Sequence, residues 1–192
     1  FFSVKIIQPT YKESIILSDP WELFTENTAE AHDLFERLPE VAAADPLVMD
    51  EIMRGLTHEE AHIRTLAAEL VDRVTQERPL FLSPYKRLLV YELSKITQPT
   101  VRAKIALFYG RVFWDEWDLQ QVVQLLAKWA RQEEDLLIVV HSLLSLHLLA
   151  QQKEWIVPTL QEEVLAAATH NLEEVRGFAA QLQEAWTFKS ES

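Results

Sequence analysis

The strongest candidate for chemistry in this sequence is the pentapeptide His58-Glu59-Glu60-Ala61-His62, which matches the pattern H-E-x-x-H. On a helix, histidines four residues apart lie on one face and can both bind Zn²⁺. The glutamate after the first histidine can then polarise a metal-bound water for hydrolysis. The pattern makes a zinc-dependent hydrolase using His58, Glu59 and His62 the alternative against which other functions are compared.

Zincin metalloproteases resemble this motif, but the neighbouring residues depart from their pattern. Glu60 is charged where zincins usually carry an uncharged residue, and the metzincin continuation to Gly and a third His is absent. Thr57 precedes the motif as a helix cap, and Glu60 has the spacing of its capping-box partner. We therefore expect His58 and His62 to be exposed residues of a first helical turn, with no bound metal and no cofactor.

Composition limits the class of protein. The 192 residues include 30 acidic and 18 basic side chains, a net charge of −12, and no Cys. This charge disfavours nucleic acid or an anionic membrane as a partner, since both reward Lys and Arg. Between Glu13 and Glu60 the acidic residues far outnumber Arg37 and Arg54, so this stretch is either a solvated face or a surface for a basic partner. We expect a cytoplasmic location.

Apolar residues that recur every three or four positions predict helices for almost the whole chain after residue 17. The predicted helices span 28–38, 46–56, 58–76, 84–96, 98–113, 118–132, 135–151, 156–169 and 172–187. Residues 1–17 differ because two short β-prone runs flank Pro9. We expect an N-terminal arm or hairpin at 1–17, followed by a single helical domain over 18–192.

These helices repeat in pairs. Three similar dipeptides stand near the start of the second helix of a pair, at spacings of 38 and 74 residues: Ile63-Arg64, Val101-Arg102 and Val175-Arg176. A middle copy falls near Ile138-Val139, where the Arg is lost. Ala67 and Ala179 follow the first and last dipeptides at equal offsets, and we expect both at helix–helix contacts.

In these dipeptides and the alanine-rich helices after them, the sequence resembles the HEAT-repeat family over roughly 46–187. The resemblance implies an all-α fold, a right-handed α–α superhelix (a HEAT-like solenoid) of four to five helix pairs. It implies that the second helices line a concave groove, and it implies no reaction. An acid in the turn within a repeat often partners the Arg in that family. The candidate partners are Glu59 or Glu60 for Arg64, and Glu173 or Glu174 for Arg176; Arg102 has no such acid before it.

A scaffold of this kind binds through side chains that its fold does not need. The candidates in the groove lie outside the apolar positions of their helices: Glu69, Asp72, Arg73, Lys104 and Arg111. Their positions also lead us to expect that charge reversal at Asp72 and Arg73 leaves stability nearly unchanged. We predict a non-enzymatic interaction or scaffold module whose partner is a protein or peptide.

Two aromatic residues and two histidines complete the candidates. Trp114 and Trp117 end the densest aromatic run, and they either pack over the seam between repeats or hold a Lys or Arg of a partner by cation–π contact. His141 and His147 lie six apart on the most apolar predicted helix. We expect these histidines to be hydrogen-bonded core or groove residues rather than ligands or general bases.

Overall fold

The structure is a computed structural model that describes residues 21–24 and 28–190. Within these ranges the chain forms α-helices and short 3₁₀ segments and no strand, so the all-α class is confirmed for the described residues. The predicted arm at 1–17 lies outside them. Contacts divide the chain into two compact units, Phe1–Val71 and Asp72–Ser192.

The described residues contain nine α-helices, which we number in chain order. They are α1 Ala29–Ala44, α2 Pro46–Gly55, α3 Ala61–Glu77, α4 Lys86–Tyr91, α5 Pro99–Arg111, α6 Glu116–Gln132, α7 Leu136–Gln152, α8 Val157–Ala167 and α9 Glu173–Ser190. The 3₁₀ segments are Glu22–Phe24, Pro79–Tyr85, Leu93–Lys95 and Glu154–Ile156. Across these elements, no helix combines the length and the apolar character needed to cross a membrane.

Helix α1 differs from its prediction because it continues six residues beyond the predicted end at 38. Pro39 lies inside the helix, where its missing N–H removes one hydrogen bond. Leu38 and Ala42 are one turn apart and both buried. Their burial favours helical backbone on either side of the proline.

The predicted helix 84–96 is divided in the structure into a 3₁₀ segment, the short α4 and a second 3₁₀ segment. The hydroxyl of Tyr109 donates to the carbonyl oxygen of Leu89 at 2.8 Å, and the hydroxyl of Ser94 donates to the carbonyl oxygen of Val90 at 2.6 Å. Side chains therefore bind two carbonyls at the end of α4, and the regular α-helix ends at Tyr91.

In the first unit the core forms around an indole ring. Trp21 is buried, and a Cβ placed on Gly55 would lie 2.3 Å from that ring and 2.8 Å from the Cβ of Ala67. Only glycine at position 55 leaves room for both neighbours. Ala67 is fully buried at this contact between α2 and α3, as the repeat predicts.

In the second unit, helices pack in an order that follows the repeat. The first helices of the pairs, α4, α6 and α8, contact one another in sequence, and so do the second helices α5, α7 and α9. Within two of the pairs the helices also pack on each other: α6 contacts α7, and α8 contacts α9. Each pair therefore buries its apolar side chains against the next pair. Ala179, on α9, is fully buried as predicted.

Helices α5 and α7 approach each other especially closely. A Cβ on Gly110 would lie 2.7 Å from the Oγ of Ser145 and 3.0 Å from its Cα. The Ser145 hydroxyl donates to the carbonyl oxygen of Ala106 at 2.7 Å, which fastens α7 to the backbone of α5. Small side chains thus allow two helices to cross at backbone distance.

The arginines of the repeated dipeptides bind main-chain carbonyls. Arg64 donates from Nη1 to the carbonyl oxygens of His58 and Glu59 at 2.7 and 2.8 Å. Arg176 repeats this arrangement with the carbonyls of His170 and Asn171 at 2.6 and 2.9 Å. At these hydrogen bonds both guanidinium groups bind carbonyl oxygens of the preceding turn, and the acid partners implied by the HEAT resemblance stay a prediction.

Arg102 follows the same rule and adds a longer contact. Its Nε donates to the carbonyl oxygen of Ile96 at 2.9 Å, six residues back as in the other two copies. Its Nη1 binds Glu133, in the turn of the following pair, and its guanidinium lies 5.4 Å from the ring of Trp129. One arginine therefore fixes its own turn and bridges to the next pair.

The close crossing gives a direct test. Gly110→Ala should lower the free energy of unfolding by about 1–3 kcal/mol, because backbone atoms of Ser145 cannot move aside cheaply. Gly177→Ala is the matched control, since a Cβ there meets nothing within 4 Å. The control should be neutral or stabilise α9 by up to about 1 kcal/mol. Urea denaturation of both variants measures the difference, and equal effects would contradict the crossing.

Candidate functional site

Three of the predicted groove residues form one ion cluster in the second unit. Asp72 binds Lys104 through Oδ2, and its Oδ1 accepts from Nη2 of Arg111 at 2.6 Å. Arg111 also donates from Nη1 to the hydroxyl of Thr75 at 2.9 Å, and its guanidinium lies 5.9 Å from the ring of Phe108. The cluster joins the end of α3 to α5 and carries two cations on one carboxylate.

The charges of this cluster are stabilised by one another. Burial raises the pKa of Asp72, but the hydrogen bonds from Lys104 and Arg111 outweigh it, so the pKa lies below its usual 3.8. The side chains of Asp72 and Arg111 are only 14% and 15% exposed. Charge reversal at Asp72 would replace the shared carboxylate with a third cation beside Lys104 and Arg111. The expectation that this residue could be reversed without loss of stability is therefore revised.

His141 on α7 lies beside the same cluster. Its Nδ1 lies 2.8 Å from the carbonyl oxygen of Ala103, so Nδ1 carries the proton and donates to α5. Burial lowers the pKa of His141, and the charges of Lys104 and Arg111 lower it further, against the opposing effects of the Ala103 carbonyl and Asp72. His141 is therefore neutral at pH 7 and is a half-buried residue hydrogen-bonded to α5.

His147, on the same helix, is bound from α9. The indole N–H of Trp186 donates to Nδ1 of His147 at 2.8 Å, and the two rings meet edge to face with centroids 5.8 Å apart. The Nε2 atom of His147 lies 2.8 Å from the amide of Gln151. Both imidazole nitrogens are engaged, which again fits a structural role.

Helices α5 and α7 present corresponding side chains at one repeat spacing. Six half-buried residues, three from each helix, form what we call the α5–α7 surface: Lys104, Leu107 and Arg111 of α5, and His141, Leu144 and Leu148 of α7. Each residue of α5 has its counterpart 37 positions later on α7. The surface combines an apolar centre with basic and imidazole groups.

The other predicted candidates have different environments. Glu69 and Arg73 are half-exposed on α3, in the first and second unit respectively. Trp114 is buried, its indole N–H donates to the carbonyl oxygen of Tyr109 at 2.9 Å, and its ring packs on that of Tyr109. This packing removes Trp114 from the candidate anchors. Trp117, by contrast, is 72% exposed.

The H-E-x-x-H residues do not share a helical turn. Helix α3 begins only at Ala61, so His58 lies in the turn before it and His62 within it. The Nδ1 of His58 accepts from the N–H of Glu60 at 3.1 Å, and the Nδ1 of His62 lies 3.3 Å from a Glu60 carboxylate oxygen. Among the residues that the structure describes, no group of three His, Cys, Asp or Glu side chains could hold a metal ion.

The turn that contains His58 has a second copy in the chain, and the comparison indicates a structural role for its histidine. Thr57-His58 recurs as Thr169-His170, 112 residues later, which is three repeat periods. The Nδ1 of His170 likewise accepts from the N–H two residues on, at 3.1 Å, and each Thr hydroxyl donates to a carbonyl three residues back at 3.0 Å. Sequence reasoning missed this repeat, although the Thr-His spacing was the signal that could have revealed it.

The described geometry therefore contains an organised ion cluster, a mixed apolar and basic surface and an exposed Trp117. Comparison with known proteins finds no matching family model, no matching curated protein and no matching solved structure.

A double-mutant cycle tests the ion cluster. Asp72→Asn and Arg111→Gln should each destabilise, and their coupling energy should exceed about 1 kcal/mol because the pair is desolvated and shares partners. The Asp33–Arg37 pair is the control, at 3.5 Å with side chains 71% and 64% exposed. Its coupling should stay below about 0.5 kcal/mol. Similar coupling in both cycles would contradict the cluster.

The lowered pKa of His141 predicts a pH dependence. In the unfolded chain a histidine binds a proton near its usual pKa of 6.5, whereas folded His141 binds it only at lower pH. The unfolded state therefore holds more protons, and stability should fall as pH drops from about 7 to 5. In His141→Gln, which keeps a donor for the Ala103 carbonyl, the fall should be shallower. Parallel chemical denaturation curves across this pH range measure both slopes, and identical slopes would refute the assignment.

Proposed function

We propose that this chain is a non-enzymatic interaction module that binds a protein or peptide through the α5–α7 surface. One observation carries the proposal. Helices α5 and α7 contain no Asp or Glu, although the chain has 30 acidic residues, and these two helices pack side by side. Two adjoining helices that contribute no carboxylate of their own, in so acidic a chain, are suited to an acidic partner segment.

The chemistry of the surface defines what fits it. Leu107, Leu144 and Leu148 are half-buried and lie on two adjoining helices, so a partner can cover them with its own apolar side chains. Lys104 and Arg111 are held in place by Asp72, and preorganised cations lose little freedom when they bind. A partner segment with apolar residues and a carboxylate complements this arrangement.

The architecture supports the same proposal. Alternating contacts of first and second helices in the second unit are consistent with a HEAT-like repeat, and we propose the right-handed superhelix that the resemblance implies. Stacked helix pairs of this kind bind partners along the row of second helices. The cytoplasmic location stays a prediction. No described observation favours the zinc hydrolase over this module, since His58 and His62 act as turn and helix-start residues.

Paired variants test the proposal. Partners are captured from a cell extract, and the affinity of the captured protein is then measured. Leu144→Gln/Leu148→Gln should bind it at least tenfold more weakly, a loss of about 1.4 kcal/mol or more. Leu165→Gln is the control because Leu165 is 64% exposed on α8, outside the α5–α7 surface. The control should bind within twofold of the natural chain. Circular dichroism verifies that all variants fold, and unchanged capture by the double variant would place the interface elsewhere.

A further inference from the structure

We propose that Phe113 and Trp117 form a second docking site, distinct from the α5–α7 surface, which takes an arginine side chain from a partner segment. These side chains are 61% and 72% exposed, although both are large and aromatic. Tryptophan is the ring that attracts guanidinium groups most strongly, and it is enriched among residues that dominate binding. We call these two side chains, which stand four positions apart in the chain and outside the described core, the anchor.

The turn between α5 and α6 holds these rings outward. Val112 and Trp114 are buried on either side of Phe113, which fixes the backbone there and leaves the Phe113 ring exposed. Asp115 caps α6, its Oδ1 accepting from the N–H of Asp118 at 3.0 Å, so that Trp117 projects from the first helical turn. The anchor is therefore preorganised, which reduces the entropy lost on binding.

Three acidic residues are neighbours of the anchor in the chain. Asp115, Glu116 and Asp118 all belong to this turn, and the carboxylate of Glu116 lies 3.7 Å from Lys153 with both side chains about half exposed. The hydrogen bond from the N–H of Asp118 holds the pKa of Asp115 below its usual value, with a smaller contribution from Lys86. An exposed pair such as Lys153–Glu116 contributes little to stability. An arriving guanidinium can therefore exchange with Lys153 while it stacks on Trp117.

A groove lies between α4 and α6, the helix whose first turn carries Trp117. The hydroxyl of Tyr91, at the end of α4, donates to Asp118 of that turn at 3.1 Å. The groove has a volume of about 370 Å³ and is lined by Val90, Ser94, Gln121, Gln124, Leu125 and Lys128, among others. Amide and hydroxyl side chains can pair with the peptide groups of an extended segment. The groove thus gives the residues beside the arginine a place to lie.

A peptide titration tests this site on the full chain. The probe is a ten-residue peptide of Gly, Ser and Leu with two central Arg residues and blocked ends; the matched probe carries Gln instead of Arg. The indole N–H signal of Trp117, identified by its loss in Trp117→Phe, should shift with the Arg peptide. The affinity for the Gln peptide should be at least tenfold weaker.

Variants separate the anchor from its surroundings. Trp117→Ala and Phe113→Ala should each weaken binding of the Arg peptide at least fivefold, Trp117→Phe should retain most of it, and Glu116→Gln should weaken it two- to threefold at low salt. Glu134→Gln, an exposed carboxylate elsewhere, is the charge control and should have no effect. Leu144→Gln/Leu148→Gln should also bind the Arg peptide normally, which keeps this test independent of the α5–α7 surface.

Three outcomes would overturn the site. Equal binding of the Arg and Gln peptides would show an apolar contact without charge recognition. Binding that survives Trp117→Ala would place the peptide elsewhere. Partition into phosphatidylcholine vesicles that is lost in Trp117→Ala, without a response to the Arg peptide, would assign the rings to a lipid surface instead.

Discussion

The backbone approach of α5 and α7 at Gly110 is the contact on which the second unit depends. Because residue 110 has no Cβ, Ser145 reaches the Ala106 carbonyl, and His141 reaches that of Ala103 a turn away. The same crossing sets the two helices at corresponding positions along the repeat. The side chains of the α5–α7 surface are neighbours as a result, and a wider helix separation would divide them into two unrelated rows.

The residues of the ion cluster belong both to the fold and to the proposed α5–α7 surface. Asp72 holds Lys104 and Arg111, so these cations are less free to adapt than isolated surface charges would be. Sequence reasoning treated all of them as dispensable because they stand outside the apolar positions of their helices. Arg111 does not fit that inference, because its guanidinium also binds Thr75 and lies over the ring of Phe108. Rigidity of this kind favours specificity over adaptability.

Periodicity predicted the second helices closely, because buried residues such as Val101, Ile138 and Val175 recur at the repeat spacing and dominate the packing. It failed at 84–96, where the hydroxyl of the distant Tyr109 binds the Leu89 carbonyl. It left open whether Trp114 packs between repeats or anchors a partner, which the contact with Tyr109 decides. The HEAT resemblance implied an acid as the partner of Arg64, and the described hydrogen bonds show its guanidinium bound to the carbonyl oxygens of His58 and Glu59.

The arginine turns have a consequence for how the chain acquires its structure. Arg64, Arg102 and Arg176 each satisfy carbonyls six residues back, so a corner needs nothing from distant sequence to close. The contacts between pairs reach only about one repeat further, as from Arg102 to Glu133 and from Ala106 to Ser145. Short loops of chain close at low entropic cost and quickly. During synthesis, each later pair of the second unit can therefore dock on the pair before it soon after it leaves the ribosome.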